Sequence, residues 1–519
     1  MQKKNSFYLA IKDLALVNPV LFRALSIHKT HKNAGIKIKR KSYLEGIYSD
    51  KSKNMVIKKS TQCGISEYLI IRAFYRAESG KNLLYILPTF DLRRQFVRER
   101  VDKTVMFTEY YRKVLNEVSS MSESVALKQF NSGTIAFVGS NTPNAFISYP
   151  ADDIIVDELD NCNQENLIMA EERQSASTDK SSIKVGNPTV SRFGIDYEYE
   201  KSDKKKWFVK CEHCGEWINP DFFRNVVVEM EKNVWVVRDR KYNGNNTLRA
   251  ICSCGKQLNR FGDGEWVAEK KSDISGYHIS KMFSTQVTLQ EIFNRFKDGL
   301  VNDSVMERVY NGDLGYAFTS KGAKIDTEML DDCIDNNYLM PDKSTNPTIA
   351  GIDVGKVNNI CIGELTADGK IKMVYIGAIP AENPMDIIEI FKRYNVKFFI
   401  VDAMPETRYS KKLIAYMGNR GLMNYYGSDK EDLGKPNEKK AVSNSRTQTL
   451  DLVKEYILMK NIIFPVNAKN IKDFYFQIMS STRIYNEKRN CYDWVESGED
   501  HYLHALGYLI MAKRYLSVM

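Results

Sequence analysis

The sequence predicts an α/β protein made of two sheet domains with a cysteine-bearing insertion between them. Three observations carry this expectation. Strand and helix patterns alternate through residues 56–190, as the βαβ units of a parallel sheet require. Two cysteine pairs interrupt that rhythm within residues 207–266, and a second series of strands opens at Thr348. The expected divisions are a basic segment over 1–54, a domain over 55–330 containing the insertion at 207–266, a polar linker over 331–345, and a second domain over 346–519.

Taken in order, residues 1–54 read as a helix-rich, loosely ordered entry segment. A short strand at 56–59 runs into a loop at 61–64. The spacing of Leu69, Ile70, Ala73, Phe74 and Ala77 predicts a helix over 67–79. A buried strand at 82–87 stops at Pro88, and an arginine-loaded helix follows over 91–105. Further strands are expected at 134–138, 153–156 and 183–185, the last broken by Gly186-Asn187-Pro188. Residues 271–330 return to helical patterns. From Thr348 the order is strand, hairpin around Asp368-Gly369, helix over 385–394 and strand over 397–401.

A chain of 519 residues can bury two or three separate cores. Its 43% hydrophobic and 27% charged residues exclude a disordered class. No apolar run is long enough to span a membrane, and the first twelve residues lack the apolar core and cleavage site of a signal peptide. Nine irregularly spaced cysteines make no disulfide framework, so a reducing cytoplasm is the expected compartment. The net charge is +10, and ten Lys and two Arg against three acids place +9 in residues 1–54. Such an arm suits a phosphate backbone or an acidic partner, and equally a solvated terminus.

Four constellations carry chemistry. The loop Lys59-Ser60-Thr61-Gln62-Cys63-Gly64-Ile65-Ser66 lies between a strand and a helix, where backbone amides cradle phosphates and a hydroxyl ligates Mg²⁺. Gly64 and Ser66 fit the pattern G-x-x-x-x-G-K-[ST], but Ile65 stands where lysine is expected. Lys59, at the other end of the loop, can turn its ammonium to the phosphates instead. The strand at 153–156 ends on Asp157-Glu158, which puts two carboxylates at the carboxyl edge of a sheet: one for Mg²⁺, one to orient the attacking water. Cys211, Cys214, Cys252 and Cys254 form a C-x₂-C and C-x-C set suited to a closed tetrathiolate site, with His213 open as a substitute ligand. Asp353 and Asp402 end apolar strands, and Asp500 and His504 share one face at the head of the last helix. Three such acids suit a two-metal phosphodiesterase site.

Five blocks stand in one order: KSTQCGIS, LYILPTFDLRRQFVRER, FVGSNTPNAFISYPADDIIVDELDNC, EERQSASTDKSSIKVGNPTVSRFG and the cysteine pairs. Together they resemble the large terminase subunits of tailed phages, closest to the lambda-like branch, over residues 43 to about 285. Residues 346–519 are similar to the ribonuclease-H-like nuclease domain of the same family. The resemblance implies a P-loop ATPase of the ASCE type with a zinc-ribbon-like insertion, followed by that nuclease. ATP with Mg²⁺ would then sit on Lys59, Ser60, Gln62, Gly64 and Ser66, with the ion on Asp157, water polarised by Glu158, and coupling through Asn187, Pro188 and Thr189. An arginine is expected on the γ-phosphate, Arg173 first, with Arg93, Arg94 and Arg98 as rivals. Mg²⁺ or Mn²⁺ would sit on Asp353, Asp402 and Asp500. Many relatives carry a double acid where this chain has Asp500-His501, so His501 or His504 is expected as a ligand or proton carrier. Zn²⁺ would be held by the four cysteines. The implied partners are double-stranded DNA, a small terminase subunit, the portal ring of a procapsid and further copies of the chain, in the host cytoplasm and away from membranes. Two other readings stand beside it: a helicase-like remodelling ATPase with a degenerate C-terminal domain, and a zinc-containing DNA-binding scaffold without ATPase activity.

Overall fold

The computed structural model describes the chain except residues 1–14, 32–33, 37–41, 117–126, 131–132, 142–145, 147–148, 232–233, 320–322, 419, 428–434, 487–490 and 517–519. It forms two compact units, Met1–Phe318 and Thr319–Met519.

The first unit is organised on a seven-stranded sheet. Its order is Ser275–Ile279, Asn54–Lys59, Ser181–Gly186, Asp153–Asp157, Asn82–Leu87, Gly133–Gly139 and Leu127–Phe130, with every neighbouring pair parallel except the last. The central strands are short unbroken apolar runs because both of their faces are covered: Met55 to Ile57, Leu83 to Leu87 and Ile154 to Val156 are all buried. The helix Ile65–Glu78 lays Tyr68, Leu69, Ile71 and Phe74 into that core. Its last turn is tied to the sheet by Arg76, whose Nε and Nη2 donate to the two oxygens of Asp153 at 2.6 and 2.7 Å.

Three expectations need correction here. Ser275–Ile279, inside a stretch expected to be helical, is a fully buried strand in register with Met55–Lys59. Its sequence SGYHI has no apolar run, so the pairing partner supplies what the local pattern lacks. The arginine-loaded helix is Phe90–Phe96 followed by a π-helical turn, Val97–Asp102, and then Lys103–Phe107. Among its described residues, the basic segment is not a loose arm from Pro19 onward. Helices Pro19–Ser26 and Ser42–Ser49 pack into the first core through Leu21, Ala24, Tyr43, Leu44, Ile47 and Tyr48. The lysines that dominate its composition conceal this apolar face; residues 1–14 lie outside the described part.

The insertion is a three-stranded antiparallel sheet (Trp217–Ile218, Lys206–Lys210, Gly264–Val267) with the hairpin Val227–Glu231 and Val234–Val237. Trp207 packs edge-on against Trp266, and the Trp266 indole donates to the Tyr43 carbonyl at 2.8 Å.

The second unit carries an eight-stranded mixed sheet in the order Ile334–Asp335, Ile462–Pro465, Ile371–Pro380, Val357–Leu365, Thr348–Asp353, Val396–Asp402, Gly421–Tyr426 and Ala441–Asn444. The helix His501–Leu516 crosses the Thr348–Asp353 strand at Gly351, where a Cβ would lie 2.1 Å from the Ala505 carbonyl oxygen. Residues 331–345 are not a free linker. Ile334–Asp335 pairs in parallel with Phe464 and Pro465, and the Tyr338 hydroxyl donates to Met373 O. A two-residue strand in a polar stretch leaves no periodicity to read. Among the described residues no helix is long and apolar enough to cross a membrane.

Candidate nucleotide and metal sites

Lys59 is the last residue of its strand and almost wholly buried. Nζ donates to Glu158 Oε1 at 2.8 Å and to Asn187 Oδ1 at 3.0 Å. Three residues far apart in sequence thus meet at one edge of the sheet. Burial opposes the charge on Lys59, yet the carboxylates of Glu158 and Asp157 leave its pKa raised. Ile65, 1% exposed, is a core residue instead. The loop turns through Gln62 (φ 57°) and Gly64 (φ 91°), both left-handed, the kind of residue conformation from which anion nests are built. Gly64 precedes the helix that begins at Ile65, so Ser66 stands in its first turn.

Asp157 is buried at the end of its strand. The Tyr85 hydroxyl donates to its Oδ2 at 2.9 Å, while Oδ1 has no hydrogen-bond partner, as is also true of Ser60 Oγ. Burial and the neighbouring charge of Glu158 push its pKa up to about 6, against the pull of Lys59. An orphaned, desolvated carboxylate oxygen at this edge fits a divalent cation.

Asn187 also donates to the Asn311 carbonyl at 3.3 Å, and the main chain and hydroxyl of Thr61 both donate to Gly312 O, at 3.0 and 2.9 Å. The π-helical segment Arg308–Leu314 therefore closes against the loop. Pro188 is buried between Asn187 and Thr189. The amide and hydroxyl of Thr189 each donate to Asp160 Oδ2 at 2.8 Å, and Ile195 N donates to Asp160 Oδ1 at 2.6 Å. Nothing in the sequence singles out Asp160, although it lies only two residues beyond the acid pair. It clamps the Glu158 turn to the 187–189 segment. Replacing Asp160 with Ala strands three donors, and ATPase kcat is expected to fall about tenfold with nucleotide Kd little changed, measured by steady-state kinetics and nucleotide titration.

Arg173 does not reach this site within the chain. Its carbonyl accepts from Ala151 N, at the amino end of the Asp153–Asp157 strand, so its side chain starts at the edge opposite Glu158. At about 3.3 Å per residue the strand is too long for an arginine to span. The rivals start at the carboxyl edge: Arg93 stacks on Phe90 and lies 3.5 Å from Phe137 O, while Arg94 and Arg98 line an open groove with Asp91, Gln95 and Asp102.

The Sγ atoms of Cys211, Cys214, Cys252 and Cys254 all lie within 4.8 Å of one another. Gly215 (φ 76°) donates its amide to Cys211 O and Gly255 (φ 80°) to Cys252 O, both at 2.9 Å, so the C-x-C half makes the same kind of knuckle as the C-x₂-C half. His213 is exposed and outside the group. Four convergent thiols without an open position fit a structural Zn²⁺.

In the second unit Asp353 and Asp402 end adjacent parallel strands, aligned by the pairing of Ile352 with Val401. Burial and the charge of Asp353 push Asp402 up to about 6, and His501 Nδ1 lies 2.9 Å from Asp353 Oδ2. Two desolvated carboxylates side by side fit a divalent metal. Asp500 is held differently. Its Oδ2 accepts from Ser481 Oγ at 2.8 Å and from Arg446 Nη2 at 3.2 Å, and lies 3.4 Å from His504 Nε2. Among the described residues Asp500 groups with His504 and with Glu496, which the sequence does not single out, and not with Asp353 and Asp402.

Residues 41–258 match the family model of the phage terminase large subunit gpA, ATPase domain. No curated protein sequence matches the chain. Among solved structures, the large terminase of bacteriophage HK97 is similar at TM-score 0.57 with 8% identity, covering 95% of this chain and 98% of that one. At that identity the likeness speaks for the fold. The large terminase of a thermophilic bacteriophage aligns over 90% of this chain and 94% of that one, at 11% identity and a TM-score of 0.31 that carries no weight. Residues 41–258 thus carry the ATPase domain of the gpA-type phage terminase large subunits.

Proposed function

We propose that the chain is an ATP-driven motor that moves double-stranded DNA into a procapsid, and a metal-dependent endonuclease that cuts concatemeric DNA. The observation that carries the motor reading is the meeting of Lys59, Glu158 and Asn187. In it Lys59 stabilises the charge of the β- and γ-phosphates, and the amides of Gln62 to Ile65 with the Ser60 and Ser66 hydroxyls hold the phosphates and their ion. Asp157 would hold Mg²⁺, which would supply charge neutralisation at the transferring phosphoryl group. Glu158, released from Lys59 as phosphate takes its place, orients the attacking water. Asn187, bonded to the same ammonium, senses that exchange and passes it along Pro188 and Thr189 to Asp160.

In the second unit Asp353 and Asp402 would hold Mg²⁺ or Mn²⁺, which would supply Lewis acidity for phosphodiester hydrolysis, and His501, on Asp353, would carry a proton to or from the reacting oxygens. The insertion binds one structural Zn²⁺. The working assembly adds a small terminase subunit, a portal ring and further copies of the chain, in the host cytoplasm. DNA binding through backbone phosphates should be indifferent to sequence and weaken steeply with salt.

The motor reading is tested by DNA-stimulated ATP hydrolysis, which should vanish in Glu158→Gln while nucleotide binding persists; undiminished turnover would refute it. For the insertion, metal analysis should find one zinc per chain in the wild type and none in Cys211→Ser/Cys252→Ser. That variant should also melt at lower temperature, because the metal's binding energy is folding energy.

A further inference from the structure

The second unit holds a cation of its own where a metal ion would otherwise be sought. Glu496, Asp500 and His504 each turn one atom to a common point, all within 4.8 Å of one another. Arg446, on the helix Arg446–Leu458, enters that point. Its Nη2 donates to Glu496 Oε1 at 2.6 Å and to Asp500 Oδ2 at 3.2 Å, and lies 3.5 Å from His504 Nε2. Nη1 donates to the Trp494 carbonyl at 2.6 Å, which fixes the plane of the guanidinium. The Tyr426 hydroxyl lies 2.9 Å from His504 Nδ1, so the ring keeps Nε2 turned toward Asp500. A guanidinium stays charged at every pH a protein survives. A divalent ion, which needs these oxygens at about 2.0–2.6 Å, has no room beside it. Asp353 and Asp402 are different: among the described residues neither forms an ion pair with lysine or arginine.

We propose that Arg446 fills the cation position between Glu496, Asp500 and His504, so that divalent metal enters this unit at Asp353 and Asp402 and no second ion binds at Asp500. Arg446 is thus a positioning residue, a built-in counter-ion that keeps Asp500 and His504 oriented. The purpose of the bound ion rests on the nuclease reading above; the number of ions does not.

The test is a Mn²⁺ titration of the full, zinc-loaded, nucleotide-free chain, with free Mn²⁺ followed by electron paramagnetic resonance. Asp500→Asn should leave the number of bound ions unchanged. Arg446→Gln should gain one ion, and Arg446→Gln/Asp500→Asn should lose it again. Arg446→Lys, which keeps a positive charge, should gain none. Loss of one ion in Asp500→Asn alone, or an unchanged count in Arg446→Gln, would overturn the proposal. If Arg446→Gln does not fold, as judged by its melting curve, Asp500→Asn decides alone: an unchanged count supports the proposal and a lost ion defeats it. An unchanged count in Asp353→Asn would likewise overturn it, whereas failure of the nuclease reading shows separately, as a chain that binds this ion but leaves plasmid DNA uncut.

Discussion

Lys59→Ala is expected to lower ATP hydrolysis by on the order of 10²–10³-fold, the usual effect of removing one preorganised charge from a transition state that develops charge. The ammonium is buried against Glu158 and Asn187 at 2.8 and 3.0 Å, so no water can reproduce it without rebuilding the edge of the sheet. Truncation also leaves Glu158 and Asn187 without their shared partner, which weakens the link between the Glu158 turn and the 187–189 segment that Asp160 still clamps. Hydrolysis measured with and without DNA checks this. Ile65→Lys should not rescue it, because position 65 faces the core and a buried, unpaired lysine there would destabilise the helix Ile65–Glu78. Wild-type turnover in Lys59→Ala would remove Lys59 from the ATPase site, and no turnover in the wild type would leave the scaffold reading in force.

Asp353→Asn should abolish cutting of plasmid DNA, by at least about 10²-fold, while leaving ATP hydrolysis intact. The substitution keeps the shape of the side chain and removes the charge that, on the proposed reading, attracts the metal together with Asp402. It also weakens the 2.9 Å contact to His501, so on the proposed reading a proton carrier is lost together with a ligand. Cutting by Asp353→Asn at the wild-type rate would place the nuclease elsewhere; no cutting by the wild type would favour the remodelling ATPase with a degenerate C-terminal unit.

Much of this arrangement is legible in the sequence, for physical reasons that differ by element. Parallel strands covered on both faces must be apolar in their interior, so Asn82–Leu87 and Asp153–Asp157 announce themselves, and the acid pair that ends the second marks the carboxyl edge of the sheet. The cysteine knuckles are visible because the glycine after each second cysteine is needed at positive φ. What cannot be read depends on partners distant in sequence. Ser275–Ile279 is a strand only because Asn54–Lys59 lies beside it. Asp160 looks like one more acid in an acidic run until Thr189 and Ile195 are folded onto it. Arg173 stands out by its place after the acid pair, yet its helix returns the chain to the far edge of the sheet. Order along the chain groups Asp500 with Asp353 and Asp402, whereas Arg446, 54 residues before it, decides what it contacts.

The most direct test compares wild type, Lys59→Ala and Asp353→Asn in one set of preparations, each assayed for DNA-stimulated ATP hydrolysis and for supercoiled plasmid cleavage with Mn²⁺. The two-centre account predicts that Lys59→Ala cuts without hydrolysing ATP and that Asp353→Asn hydrolyses ATP without cutting. Loss of both activities in either variant, with the fold intact by melting curve, would contradict it.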